Sequence, residues 1–208
     1  MRNYKKLIAA IVAGLGCSAL TTHATLSDLG SITDNSTLGT AFVGNYGPVS
    51  DASSPPTILQ GTLSSWVLTG DPNDPVGFTG NTYVYQVNET GSDIVGALSL
   101  NGFGAVGNIA IGFVSQGAPF DPTSISQAVN GVINVAFSSG FTGLGDLIFV
   151  YTSTVSSAVV LDPVQDGVNS SAEALAPVPE PTTSVAAALM LLPLGVGALR
   201  ALRKERSV

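Results

Sequence analysis

Between Thr25 and Pro181 the chain contains no lysine, arginine, histidine or cysteine. All seven Lys and Arg lie outside that stretch, at Arg2, Lys5, Lys6, Arg200, Arg203, Lys204 and Arg206, and the single His23 and Cys17 precede it. Each absence removes a kind of chemistry from the segment. Without imidazole or thiol, neither a Ser-His-Asp nor a Cys-His nucleophile can be assembled. A zinc site built on His or Cys is excluded, as are disulfides and a Schiff-base lysine. Nothing can neutralise phosphates, so nucleic acid is excluded as a partner. No internal salt bridge can form. What remains to titrate is Tyr46, Tyr83, Tyr85, Tyr151 and thirteen acids, from Asp28 to Glu180, which give a formal charge of about −13. Charge that far from zero favours solubility. Stability has to come from apolar burial and backbone hydrogen bonds, with bound cations as an addition.

The cations sit at the two ends. Arg2, Lys5 and Lys6 precede an apolar run, Leu7 to Leu20, and Thr22-His23-Ala24 supplies a small residue for cleavage. This is the pattern of a secretory signal peptide over 1–24, cut by signal peptidase after Ala24. Cys17 is a poor lipid attachment point, because Gly14 stands where an aliphatic residue is wanted. At the other end, Ser184 to Leu202 carries one charge, Arg200, and would reach about 28 Å as a helix, close to a hydrocarbon core. Pro193, Gly195 and Gly197 suit a membrane helix better than a soluble one. Arg200, Arg203, Lys204 and Arg206 would hold that end in the cytoplasm and leave the body of the chain on the far side.

Val178-Pro179-Glu180-Pro181, the apolar stretch and the basic tail, in that order, resemble the PEP-CTERM sorting segment of Gram-negative bacteria. The resemblance covers about 30 residues. It implies that Pro179, Glu180 and Pro181 are read by exosortase, a membrane protease-transpeptidase, while the helix holds the substrate and Arg200, Arg203, Lys204 and Arg206 stop its translocation. Thr182, Thr183 and Ser184 stand where many members carry an aromatic residue. It further implies transient anchoring in the inner membrane, then a place at the cell surface or in the extracellular matrix. The strands at 83–88 and 93–103 also resemble a segment common in the exported bodies of that group, and no catalytic residue is attached to it.

The body, 25–162, is long enough for one domain with a core. Short apolar runs alternate with turn clusters such as Asp71-Pro72-Asn73-Asp74-Pro75. Strands are expected at 57–69, 81–88, 93–100, 106–114, 131–138, 146–152 and 156–161. In 81–88, Tyr83, Tyr85 and Val87 share one face, and Thr82, Val84, Gln86 and Asn88 the other. Seven short strands predict an all-β, single β-sandwich-like domain between an N-terminal signal helix and a C-terminal transmembrane helix. From 163 to 178 small and polar residues between prolines read as a flexible linker, followed by the sorting segment at 179–208.

Asp71, Asn73 and Asp74 offer three oxygen-bearing side chains within four residues, which a hard cation such as Ca2+ would accept. The same residues are also ordinary turn chemistry. No other cofactor is suggested. The acids lie mostly in turns, and Trp66, the single tryptophan, falls in an apolar strand where a core role is expected. The chain is therefore expected not to be an enzyme. Two functional classes stay open: a structural or adhesive surface protein of the extracellular, exopolysaccharide-associated (biofilm) matrix, or a calcium-dependent carbohydrate-binding module.

Acids that repel one another without any cation among them respond to screening. The melting temperature should rise as sodium chloride is added from low ionic strength at neutral pH. Indifference to salt would mean that the charges are spread too widely to matter. A cation held by the Asp71–Asp74 loop would show as a calcium effect beyond that of sodium chloride at equal ionic strength.

Overall fold

The computed structural model describes residues 26–177, apart from residues 105, 117–120 and 129. The signal segment, the Pro179-Glu180-Pro181 motif, the apolar stretch from Ser184 and the basic tail lie outside the described residues. Among the described residues there is no helix, hence none long and apolar enough to cross a membrane. The architecture is all-β, with two sheets.

Among the described residues twelve strands follow in order: β1 (Leu26–Ser31), β2 (Phe42–Ser50), β3 (Ile58–Thr69), β4 (Asn81–Glu89), β5 (Val95–Leu100), β6 (Ile109–Val114), β7 (Pro122–Gln127), β8 (Ile133–Phe141), β9 (Gly143–Leu144), β10 (Leu147–Thr152), β11 (Ser157–Asp166) and β12 (Val168–Pro177). One sheet has the order β1-β6-β10-β4-β3-β2, with the short β9 also on β4; the other runs β12-β11-β5-β8-β7. All pairings are antiparallel except β1 with β6.

The core lies between the sheets, and alternation places it there. Leu59 and Leu63 from β3, Tyr83, Tyr85 and Val87 from β4, Ile109 and Ile111 from β6, and Ile148 and Val150 from β10 face Leu98, Leu100, Ile133, Val135 and Val164 of the second sheet. Each such burial stabilises by about 1.5–3 kcal/mol. Buried hydroxyls are satisfied across the gap: Tyr83 donates to Ser156 O at 2.6 Å, and Tyr85 to Leu175 O at 2.6 Å.

The larger sheet also buries its outer face. Val84, Ala110, Phe149 and Tyr151 form a second cluster there, covered by Ile32, Leu38 and Phe78 and flanked by Trp66 and Leu68. Ile32 and Leu38 belong to the 32–41 segment joining β1 to β2, and Phe78 to the connection between β3 and β4. The 32–41 segment is tied by Tyr151 OH to Asp34 Oδ2 at 3.0 Å and by Trp66 Nε1 to Gly39 O at 3.0 Å. Gly112 leaves room for Ile32, whose Cγ2 would lie 2.7 Å from a Cβ at that position. Trp66 thus serves this outer cluster, half-buried and hydrogen-bonded.

The seven expected strands correspond to β3, β4, β5, β6, β8, β10 and the first part of β11. The expected flexible linker at 163–178 is corrected as far as Pro177. Pro163 to Asp166 complete β11, and β12 pairs with it in a continuous register from Ser157↔Pro177 to Asp166↔Val168. Ala172, Ala174 and Ala176 point inward and are buried. Alanine is a weak strand former, so period-two burial written in alanine reads as a linker. Asp166-Gly167, with Gly167 at φ +65°, makes the hairpin turn.

β12 also closes the gap to the larger sheet. Leu175 N–H donates to Ser65 Oγ at 3.0 Å, and Gly47 N–H to Ser170 Oγ at 2.8 Å. Gly44 makes the approach possible, since a Cβ there would run into the backbone of Glu173. Gly44→Ala should therefore destabilise by about 2–3 kcal/mol in a denaturant titration. Gly39→Ala, with nothing within 4 Å of the new carbon, should change stability by less than about 0.5 kcal/mol. Equal stability of the two variants would show that the β2–β12 approach is loose.

Candidate functional site

Carboxylates are the only charged groups among the described residues, so any site has to be built from them. The Asp71–Asp74 loop spends most of its oxygens on its own backbone. Asp74 Oδ1 accepts the N–H groups of Val76 and Gly77 at 2.8 and 3.1 Å, and Oδ2 that of Phe78 at 2.7 Å. Asp71 Oδ1 accepts from Asn73 N–H at 2.9 Å and Ser36 Oγ at 2.7 Å, while Asn73 Nδ2 donates to Ser36 Oγ at 2.8 Å. Asp71 Oδ2 is buried with no donor. Asp71, Asn73 and Asp74 are brought together, but largely as a turn that docks onto the 32–41 cover. Among the described residues no three His, Cys, Asp or Glu side chains form a ligand set for a metal ion.

The registers collect a different group of acids. β4 ends at Glu89 where β3 begins, and β5 begins beside Phe141, the last residue of β8. β10 begins at Leu147 opposite Val114, and Gln165 of β11 pairs with Ala97. One end of the two-sheet domain therefore carries Asp51, Glu89, Asp93, Asp121, Asp146 and Asp166. That is half of the twelve acids among the described residues, with no cation to offset them.

These acids are met in different ways. Glu89 is buried and fully satisfied: Oε1 accepts from Gln60 N–H at 3.0 Å and Gly91 N–H at 2.7 Å, and Oε2 from Tyr46 OH at 2.7 Å. The Tyr46 hydroxyl is correspondingly pushed up, by burial first and then by Glu89. Half-buried Asp51 accepts from Ser53 Oγ, Thr57 N–H and Ser53 N–H, and falls to about 2, the Ser53 hydroxyl contributing most. Asp146 is pushed up to about 6 by burial, against the pull of Gln116 N–H at 2.6 Å, and it touches the carboxyl of Asp121. Asp166 is raised by burial and by its contact with Asp93. Asp93 and Asp146 each keep one buried oxygen, Oδ2, without a donor.

Asp162 stands apart, buried on β11 where that strand pairs with Ala172 of β12. It is 0 % exposed. Oδ1 accepts from Asn101 N–H at 2.7 Å, and Oδ2 is buried without a donor. Burial raises it to about 7, the Asn101 backbone and side chain opposing. Tyr85, the neighbouring hydroxyl, is raised by its own burial and then by Asp162.

Chemically, these groups hold protons or hard cations. Within each acid pair, Asp93–Asp166 and Asp121–Asp146, one carboxyl is raised by burial and by the charge of the other. Sequence spacing singled out Asp71, Asn73 and Asp74 and missed both pairs and Asp162, whose partners come from distant strands. The signal open to sequence was the missing cation alone.

Compared with protein-family models, curated proteins and solved structures, the chain matches none.

A group raised on folding binds a proton more tightly folded than unfolded, so its contribution is fully present below the unfolded value and lost as pH rises through the folded one. For Asp162 the window runs from its ordinary value of 3.8 up to about 7 and amounts to up to about 4 kcal/mol. Thermal stability should fall between about pH 4 and pH 7, and Asp162→Asn should flatten the largest part of that slope. An unchanged slope in the variant would show that Asp162 does not titrate in this window.

Proposed function

We propose that the chain is an exported, exosortase-processed protein of the cell surface or extracellular, exopolysaccharide-associated matrix, with a structural or adhesive role and no catalytic activity. The observation that carries this reading is the segment from Val178 to Arg206, with its Pro179-Glu180-Pro181 motif, apolar stretch and cations at Arg200, Arg203, Lys204 and Arg206. The body supports it. A two-sheet domain, taken as a β-sandwich, lacks imidazole, thiol and amine among its described residues.

On this reading the two end signals divide one task. Signal peptidase removes the first after Ala24 once the chain has crossed. The second holds the exported body at the inner membrane, because the apolar stretch is long enough to span and the basic tail resists crossing. The prolines at 179 and 181 restrict their neighbours to extended conformations, in which a peptide backbone can enter a protease. Cleavage at the motif then frees the acidic domain, whose nearest companion outside is polysaccharide. The second reading, a calcium-dependent carbohydrate-binding module, draws on the six acids gathered at one end of the domain.

Intact-mass measurement of the exported form separates a processed protein from a plain membrane anchor. Cells with an active exosortase should yield a surface species lacking Arg200–Arg206, and Glu180→Ala should trap the longer form in the membrane. Release of the variant at the wild-type rate would mean that this motif is not the one being read.

A further inference from the structure

We propose that the end of the domain from which the chain leaves at Pro177 carries a lipid-facing surface, built from Val155, Val159, Leu161 and Leu175, which rests on the bilayer while the chain is anchored there. This deepens the exported reading and rests on it, because the apolar stretch from Ser184 is what would bring a bilayer near. Val155 is 57 % exposed, Val159 47 % and Leu161 60 %. Asp162 and Val164 of β11 point inward and are buried, so Val159 and Leu161 stand on the outward face of that strand. The register sets Val159 opposite Leu175 and Ser157 opposite Pro177. Half-buried Leu175 therefore shares the outward face just before the chain exit. Val155 lies in the β10–β11 turn, which Asn81 holds: its Nδ2 donates to Val155 O at 2.8 Å and its N–H to Thr154 O at 2.7 Å. A Cβ at Gly80 would run into the backbone of Ser153 and Thr154, so this turn is packed in place.

Single exposed apolar side chains need no explanation, but gathered ones do. From Leu147 to Leu161 the chain carries no charged residue at all. Charge is kept elsewhere. The end bearing Asp51, Glu89, Asp93, Asp121, Asp146 and Asp166 is the far end of the β11–β12 hairpin. At about 3.3 Å per residue, β12 puts roughly 30 Å between that end and Pro177. This is several times the screening length of about 8 Å at physiological ionic strength, so headgroups beside Pro177 do not feel those acids. In the β3–β4 connection, Asp74 spends both oxygens on three N–H groups, and Asp71 accepts from Ser36 and Asn73. Exposed Glu173 stands opposite Leu161 and bounds the patch. The course of the chain identifies a bilayer as the occupant. The six residues 178–183 lie between Pro177 and Ser184 and reach at most about 20 Å. With no cation among the described residues to draw the domain to headgroups, apolar contact has to hold it. Such contact is weak alone, and a short tether presents it at an effective concentration of about millimolar order. The surface would thus grip only while the chain is anchored, and cutting the tether would let the domain leave.

The test uses the full chain reconstituted in phosphatidylcholine vesicles, with Cys17→Ser as background. A polarity-sensitive fluorophore is attached at Val159→Cys or, as the control at the other end of β12, at exposed Asn169→Cys. Flotation of the vesicles reports anchoring, and quenching by headgroup-proximal spin-labelled lipid reports contact. Both variants should float, and quenching at 159 should exceed that at 169 by about threefold or more, as expected of a surface seated in the headgroup region. Adding Val155→Ser and Leu161→Ser, both at exposed positions, should bring the two positions level without loss of flotation. Flotation with equal quenching at 159 and 169 would overturn the proposal and leave the anchor standing. Failure to float would overturn the anchor and the proposal with it. A blue shift at 159 that grows with protein concentration in the absence of vesicles would also overturn it, and assign this surface to a second copy of the chain.

Discussion

Every buried carboxylate in this domain has to be met without a cationic side chain, and much of the structure is arranged around that requirement. Glu89 shows the complete solution: three neutral donors, two backbone N–H groups and the Tyr46 hydroxyl, converge on one carboxylate. A carboxylate accepting several such bonds is stabilised in its charged form. Asp74 does the same at the loop before β4, with three N–H groups on its two oxygens. Where donors run out, at Asp71, Asp93, Asp146 and Asp162, one buried oxygen is left over. At Asp146 and Asp162 burial raises the carboxyl above its ordinary range, so each holds its proton more tightly in the folded chain.

The same shortage bears on how the apolar surface is used. With no ion pairs to lean on, the domain buries its larger sheet on both faces. The inner face meets the second sheet; the outer face is closed by the 32–41 segment, an irregular strap held by Ile32 and Leu38 and by acceptors at Asp34 and Gly39. Tyr151 links the two themes. Its ring belongs to the outer cluster, and its hydroxyl supplies Asp34 with a donor that no lysine or arginine can provide.

How much of this could be read from sequence differs by element. β4 was legible because Tyr83, Tyr85 and Val87 alternate with residues of another kind, and its burial on both faces shows in Val84 on the polar side. β12 was not, because its inward residues are alanines, whose burial depends on the close approach of β2 rather than on their own size. β2 was hidden by Gly44 and Gly47, which weaken a strand in isolation and are required by β12 and β3 in the fold. The Asp71–Asp74 loop could be located from spacing, but only the structure shows its oxygens spent on N–H groups. Asp93 and Asp166 could not be paired at all, since a register between β5 and β11 brings them together.

That β12 is a strand changes how the export reading has to work. A loose tether would have placed the motif far from the body. With β12 running to Pro177, only six residues, 178 to 183, separate the sheet from the start of the apolar stretch at Ser184. Fully extended they reach at most about 20 Å. Strand β12 holds the seam between the sheets through Ser65, Tyr85 and Gly44. Cleavage after Pro177 removes nothing from that seam, so the domain can be freed with its last strand intact. On the export reading, a cut at Pro179-Glu180-Pro181 would leave β12 whole, because the strand ends at Pro177.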